Sequence, residues 1–185
     1  MKNNKVHFFK NIAAIVIVAM FFYACTSGDK NKITANFKEV AQGVGRDVTI
    51  KHTDSGRLAV ILKAETLKDY THLDFPYTEF PDGLKLTIFD KEGGESIVLA
   101  DYAIQYKLTH LVDLRGNVKI TTADSSVLKA PQLYWNQTLK WAYTDYPYTI
   151  KAKNGSVNKG DGFDANQEFT LFKSRTNKGE QILKD

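Results

Sequence analysis

The chain has 185 residues, 43% hydrophobic and 25% charged, a composition that supports one folded core and excludes both a disordered polymer and a chain embedded throughout in a membrane. Its formal charge of +4 rests largely on Lys2, Lys5 and Lys10: residues 1–24 carry no acidic side chain, and without them 22 basic residues face 21 acidic ones, which argues against nucleic-acid binding. His7, His52, His72 and His110 are scattered and Cys25 is the single cysteine, so no metal-ligand spacing and no internal disulfide is written into the chain.

In chain order, the three lysines precede an apolar run from Ile12 to Ala24. Thirteen residues are too few for a bilayer span, which needs roughly 20, and suit the core of a secretory signal, so 1–24 reads as a lipoprotein-type signal peptide. Cys25 follows Ala24 where a lipidated cysteine would stand, although Phe22 and Tyr23 are bulkier than the usual lipobox pair. The competing reading is an uncleaved short anchor. Residues 25–45 are mostly small and polar and read as a tether, with one helical turn expected over Lys38–Gln42. A β domain is expected over 46–179, and a C-terminal tail over 180–185.

The first strands are the run after Asp47 and the run RLAVILKAE, joined by the turn Asp54-Ser55-Gly56, with Leu58, Val60, Leu62 and Ala64 sharing a face. Pro76 and Pro81 limit any central strand near them, and Asp82-Gly83 supplies a turn before the strand bearing Leu84, Leu86 and Ile88. From Ala100 a unit recurs without gaps at a spacing of 30 residues, opened by Ala100, Ala130 and Gly160. Leu111, Trp141 and Leu171 align, turn formers align at Gly116-Asn117, Tyr146-Pro147 and Thr176-Asn177, and Val118 and Ile120 align with Tyr148 and Ile150. Short β-rich units repeated at fixed spacing predict an all-β stack of antiparallel strands in which each unit covers its neighbour's apolar face.

No catalytic constellation emerges. Gly155, Gly160 and Gly162 lead into no strand-to-helix phosphate loop, and the acidic pairs Asp69 with Asp74 and Asp161 with Asp164 fit solvated turns, so neither an enzyme nor a cofactor is expected.

The segment from Ala100-Asp101 through Leu114-Arg115-Gly116-Asn117-Val118, with Leu133-Tyr134, Thr144-Asp145, the Gly160 turn and Phe89-Asp90-Lys91, resembles the LptC family of lipopolysaccharide-export proteins. The resemblance implies an open, twisted β-jellyroll whose apolar trough receives lipopolysaccharide acyl chains. It also implies a periplasmic place in a bridge, held by an N-terminal membrane anchor at the inner membrane, between an inner-membrane ABC transporter and an LptA-type protein. Candidate lipid-contacting residues are then Leu58, Val60, Leu62, Leu84, Leu86, Ile88, Leu114, Val118, Ile120, Leu133, Trp141, Tyr148, Ile150, Phe163, Phe169 and Leu171, with Leu99 and Leu139 also inward. Gly116, Asn117 and Gly160 are expected at turns. The run Glu168–Lys173, followed by a polar tail with no covering element, is the expected docking edge. The rival reading is a glycan-binding surface lipoprotein with Tyr134, Trp135, Trp141, Tyr143, Tyr146 and Tyr148 as a stacking platform on an outer face.

Overall fold

A computed structural model describes residues 40–166, 169 and 171–180. The expected signal peptide, Cys25 and most of the expected tether lie outside the described residues, as do Lys38 and Glu39 of the expected helical turn; residues 40–42 are not helical. The strands are β1 (Gly43–Asp54), β2 (Arg57–Tyr70), β3 (Tyr77–Phe80), β4 (Leu84–Phe89), β5 (Glu95–Ala100), β6 (Tyr102–Tyr106), β7 (Leu111–Thr121), β8 (Val127–Asn136), β9 (Trp141–Lys151), β10 (Val157–Asn166), β11 (Phe172–Ser174) and β12 (Lys178–Glu180). The 30-residue repeat is physical: β7 and β9, like β8 and β10, start and stop 30 residues apart.

The hairpin β1–β2 turns through Ser55 and Gly56, both at positive φ, the geometry whose twist matches that of the flanking strands. β1 begins inside the stretch assigned to the tether. Its long partner explains this, because β2 offers pairing as far as Asp69, and Gln42 extends the pairing through its backbone N–H (2.8 Å to the Asp69 carbonyl) and its side chain (3.1 Å to Asp69 Oδ2, 2.6 Å to Thr71 Oγ1).

All strands belong to one antiparallel sheet, folded on itself. The start of β2 pairs with β4 and its end with β3; the start of β7 pairs with β6 and its end with β5; β3 pairs with β6 and β4 with β5. This closes a ring of pairings and produces two facing layers. The first holds β4, β5, β12, the N-terminal parts of β2, β8 and β10 and the C-terminal parts of β7 and β9. The second holds β3, β6, β11 and the remaining halves of the long strands.

The long strands pass between layers along a crease, and Gly116-Asn117, Tyr146-Pro147 and Gly160, expected at turns, mark that crease instead, whereas Thr176-Asn177 joins β11 to β12. Gly116 and Asn117, both at positive φ, form a bulge within β7; Tyr146-Pro147 lies within β9, and Gly160 within β10. Turn formers and bulge formers are the same residues because both sites demand positive φ or tolerate a missing donor. Gly160 serves another need, since a Cβ there would overlap the Thr176 carbonyl oxygen. Chain reversal actually occurs at Lys107–His110 and Gln137–Lys140, and at 123–125 and 153–155.

The core between the layers is centred on Phe163, Leu114, Leu133 and Val118, all but fully buried. At the β9–β11 end Phe163 packs edge-on to Tyr148 (5.2 Å between centroids) and stacks on Phe172 (5.0 Å). The C-terminal segment also departs from expectation. Of the run Glu168–Lys173, only Phe172 and Lys173 are in a described strand, and Glu168 and Thr170 lie outside the described residues. The following residues are not an uncovered tail, because β12 pairs with Val157–Lys159 of β10 while β11 pairs with Phe163–Ala165.

Candidate functional site: an apolar cleft between the layers

Strand alternation aims every second side chain between the layers. On β4, β5 and β7 this directs Leu86, Ile88, Val98 and Ile120 inward from the first layer, and on β7, β8 and β9 it directs Leu114, Leu133, Trp135 and Ala142 inward from the second. Together with Phe89 and Phe169 these side chains line a cleft of about 440 Å³, within the roughly 300–1,000 Å³ typical of small-molecule sites. Its polar groups are confined to one rim, where Asp90, Ser96, Thr122 and Asp124 sit in or beside the β4–β5 and β7–β8 turns. Those carboxylates are already engaged. Asp90 accepts from the Glu92 and Gly94 N–H groups (2.9 and 2.7 Å). Asp124 accepts from the Thr122 hydroxyl and from Ser126, and these bonds, the Thr122 one foremost, hold its carboxyl below the usual value.

Six of the sixteen candidates line this cleft: Leu86, Ile88, Leu114, Ile120, Leu133 and Phe169. Leu84, Val118, Tyr148 and Phe163 are core beside it, and Val60, Leu62 and Ile150 are half-buried against that core. The remaining three are elsewhere. Trp141 falls on the outer face, because its neighbour Ala142, 3% exposed, takes the inward position opposite Trp135. Leu171 is 64% exposed ahead of β11, and Leu58 is exposed near the β1–β2 turn. Leu99 is exposed on the outer face between Lys85 and Lys119, and Leu139 is exposed in the β8–β9 turn. Val98, Phe89, Trp135 and Ala142 were not anticipated in the cleft; alternation from Leu133 would have found Trp135.

A buried polar network ties β7, β8 and β9 together in the second layer. Asp113, 1% exposed, accepts from Arg115 Nε (2.8 Å) and Gln132 Nε2 (2.8 Å), and Thr144 donates to Gln132 (3.3 Å). Tyr102 lies under Arg115 and donates to Glu79 (2.9 Å); burial first, then Glu79, pushes its hydroxyl up to about 12. The six rings of a glycan platform do not share one face: Trp135 lines the cleft, Tyr148 is core, and Tyr134 and Tyr143 pack on each other at 5.2 Å. Among the described residues no group of three or more His, Cys, Asp or Glu is placed to hold a metal ion, and no helix is long and apolar enough to cross a membrane. A cleft floored by hydrocarbon side chains can hold hydrocarbon.

The family model described as lipopolysaccharide-assembly, LptC-related, matches residues 12–173. No curated protein matches the chain.

Proposed function

Because the chain belongs to the LptC family, whose part in lipopolysaccharide transport is not enzymatic, we propose that its interlayer cleft carries lipopolysaccharide acyl chains from an inner-membrane ABC transporter toward an LptA-type bridge protein. The observation that carries this reading is the cleft itself, apolar on both walls with its carboxylates confined to the rim. Burying a methylene is worth about 0.8 kcal/mol, so six of them contribute roughly 5 kcal/mol before the costs of ordering the chain and releasing it from its previous host. That suffices to hold a chain in transit without trapping it. The domain works in the periplasm, tied to the inner membrane through its N-terminus, with Cys25 as the lipidated residue; intact mass of the Cys25→Ser protein tests the last point, an unprocessed precursor being expected and a mass consistent with normal processing overturning it.

A photo-crosslinking residue at Ile120 or Leu133 should trap lipopolysaccharide in cells, whereas one at Lys119, on the opposite face of the same strand, should not. Equal adducts at Ile120 and Lys119 would sink the cleft model.

A further inference from the structure

The outer face of the first layer carries a row of lysines that neither the fold nor the cleft requires. Cross-strand pairing runs Lys63↔Lys85, Lys85↔Leu99, Leu99↔Lys119, Lys119↔Lys129, Lys129↔Thr149, Thr149↔Lys159 and Lys159↔Lys178. Like charges set directly opposite one another destabilise a sheet, and among the described residues none of these lysines forms an ion pair. At about 4.8 Å per strand, the stretch from β7 to β12 places Lys119, Lys129, Lys159 and Lys178 along roughly 19 Å. Acidic neighbours are concentrated at the other end, where Asp47, Glu65, Asp82 and Asp101 share a groove with Lys63 and Lys85. Between the β7–β10 lysines and the crease lies a hollow of about 510 Å³ bounded by Lys119, Lys129, Asn117, Pro131, Pro147 and Thr149, with no acidic side chain in its lining. The nearest acids in register are Asp161, which already accepts from Thr176, and Glu180 at the end of β12.

We propose that this face, around Lys119, Lys129, Lys159 and Lys178, docks on an anionic phospholipid bilayer. Charge complementarity requires an anion, and the adjacent row favours a lipid surface over a soluble polyanion. Two residues along each strand stand Thr121, Val127, Lys151 and Val157, half-buried except for the exposed Lys151, and Leu99 lies exposed within the lysine row. Lysines set beside Val127, Val157 and Leu99 match the phosphate level and the acyl boundary of a bilayer together, whereas a nucleic acid or a free phosphate would leave those three apolar side chains idle. Cys25, the proposed lipid-bearing residue, precedes β1 by fewer than 20 residues, so the tether is short enough to let this face reach the bilayer that the lipid enters.

The test is amine-labelling footprinting of the full chain reconstituted in phosphatidylglycerol-containing vesicles and in pure phosphatidylcholine vesicles. Lys129 and Lys159 should label more slowly in the anionic vesicles only, relative to the turn residues Lys91 and Lys140, and the difference should vanish at high salt. Docking should weaken about fivefold for each lysine removed, so Lys119→Gln with Lys178→Gln should abolish protection of the two reporters left in place. Equal labelling in the two vesicle types would overturn the proposal. So would protection by single-stranded DNA, inorganic phosphate or lipopolysaccharide micelles without protection by the anionic vesicles, which would assign the row to a soluble polyanion, a free phosphate or the cargo.

Discussion

Phe163 and Trp141 are both large rings on neighbouring strands, and the face each occupies sets its worth. Phe163 is 0% exposed and wedged among Tyr148, Phe169 and Phe172, so truncation both loses apolar burial and leaves a cavity that the two layers cannot fully close. Phe163→Ala should cost about 3–5 kcal/mol. Trp141 is half-exposed on the outer face of the second layer, and Trp141→Ala should cost about 1 kcal/mol or less. Urea unfolding of the two variants checks the pair; a loss at Trp141 as large as that at Phe163 would mean that alternation along β9 runs opposite to the Ala142-inward arrangement. The repeat register favours an inward Trp141 because it aligns that ring with Leu111 and Leu171. What decides the position is the opposing strand: Trp135 fills the space that Ala142 leaves, a non-local complementarity that composition does not carry.

At the scale of elements, the crease is what turns a repeat of strands into a container. The β5–β6 corner at Asp101 sits on the β7 bulge, with the Asp101 N–H donating to the Gly116 carbonyl (3.0 Å) and Asn117 Nδ2 donating to Asp101 Oδ2 (2.6 Å). Gly116 has φ +71°, and a Cβ there would come within 2.9 Å of the Asp101 Cβ. Gly116→Val should therefore destabilise the domain by about 1–3 kcal/mol, and amide exchange should accelerate first in β6, whose pairing with the start of β7 depends on the bend. Uniform acceleration across both layers would show that the bulge is not where they are joined. Strand identity, the 30-residue spacing and the inward set Val118, Ile120, Tyr148 were all legible, because periodicity and β-branched composition are local signals. The conversion of Gly116-Asn117 from turn to bulge was not. A positive-φ requirement shows in the sequence, but whether the chain then reverses depends on how far the partner strands extend, as β8 does beside β7.

At the scale of the molecule, the two ends of the sheet differ in what they offer a partner. At the C-terminal end β10 is overlaid by β11 and β12, three residues each, which leaves only short stretches of unpaired backbone. At the other end, among the described residues, β1 pairs with β2 alone, so a 12-residue strand keeps one edge open, with Val44 and Ile50 exposed along it. Ile50 lies opposite Leu62, so a strand added there would prolong the apolar floor toward whatever supplies the lipid. On the proposed function, the β1 edge is accordingly the expected dock for the transporter, and the shorter β11–β12 edge the expected dock for the bridge protein. Successive residues of β1 point their N–H groups alternately toward β2 and away from it. Of Ile50→Pro and Lys51→Pro, one therefore breaks the hairpin ladder, at about 3 kcal/mol, and the other removes only an outward donor. The second should melt close to wild type and fail to co-purify the transporter; if it melts normally and still binds, the transporter docks on the β11–β12 edge instead.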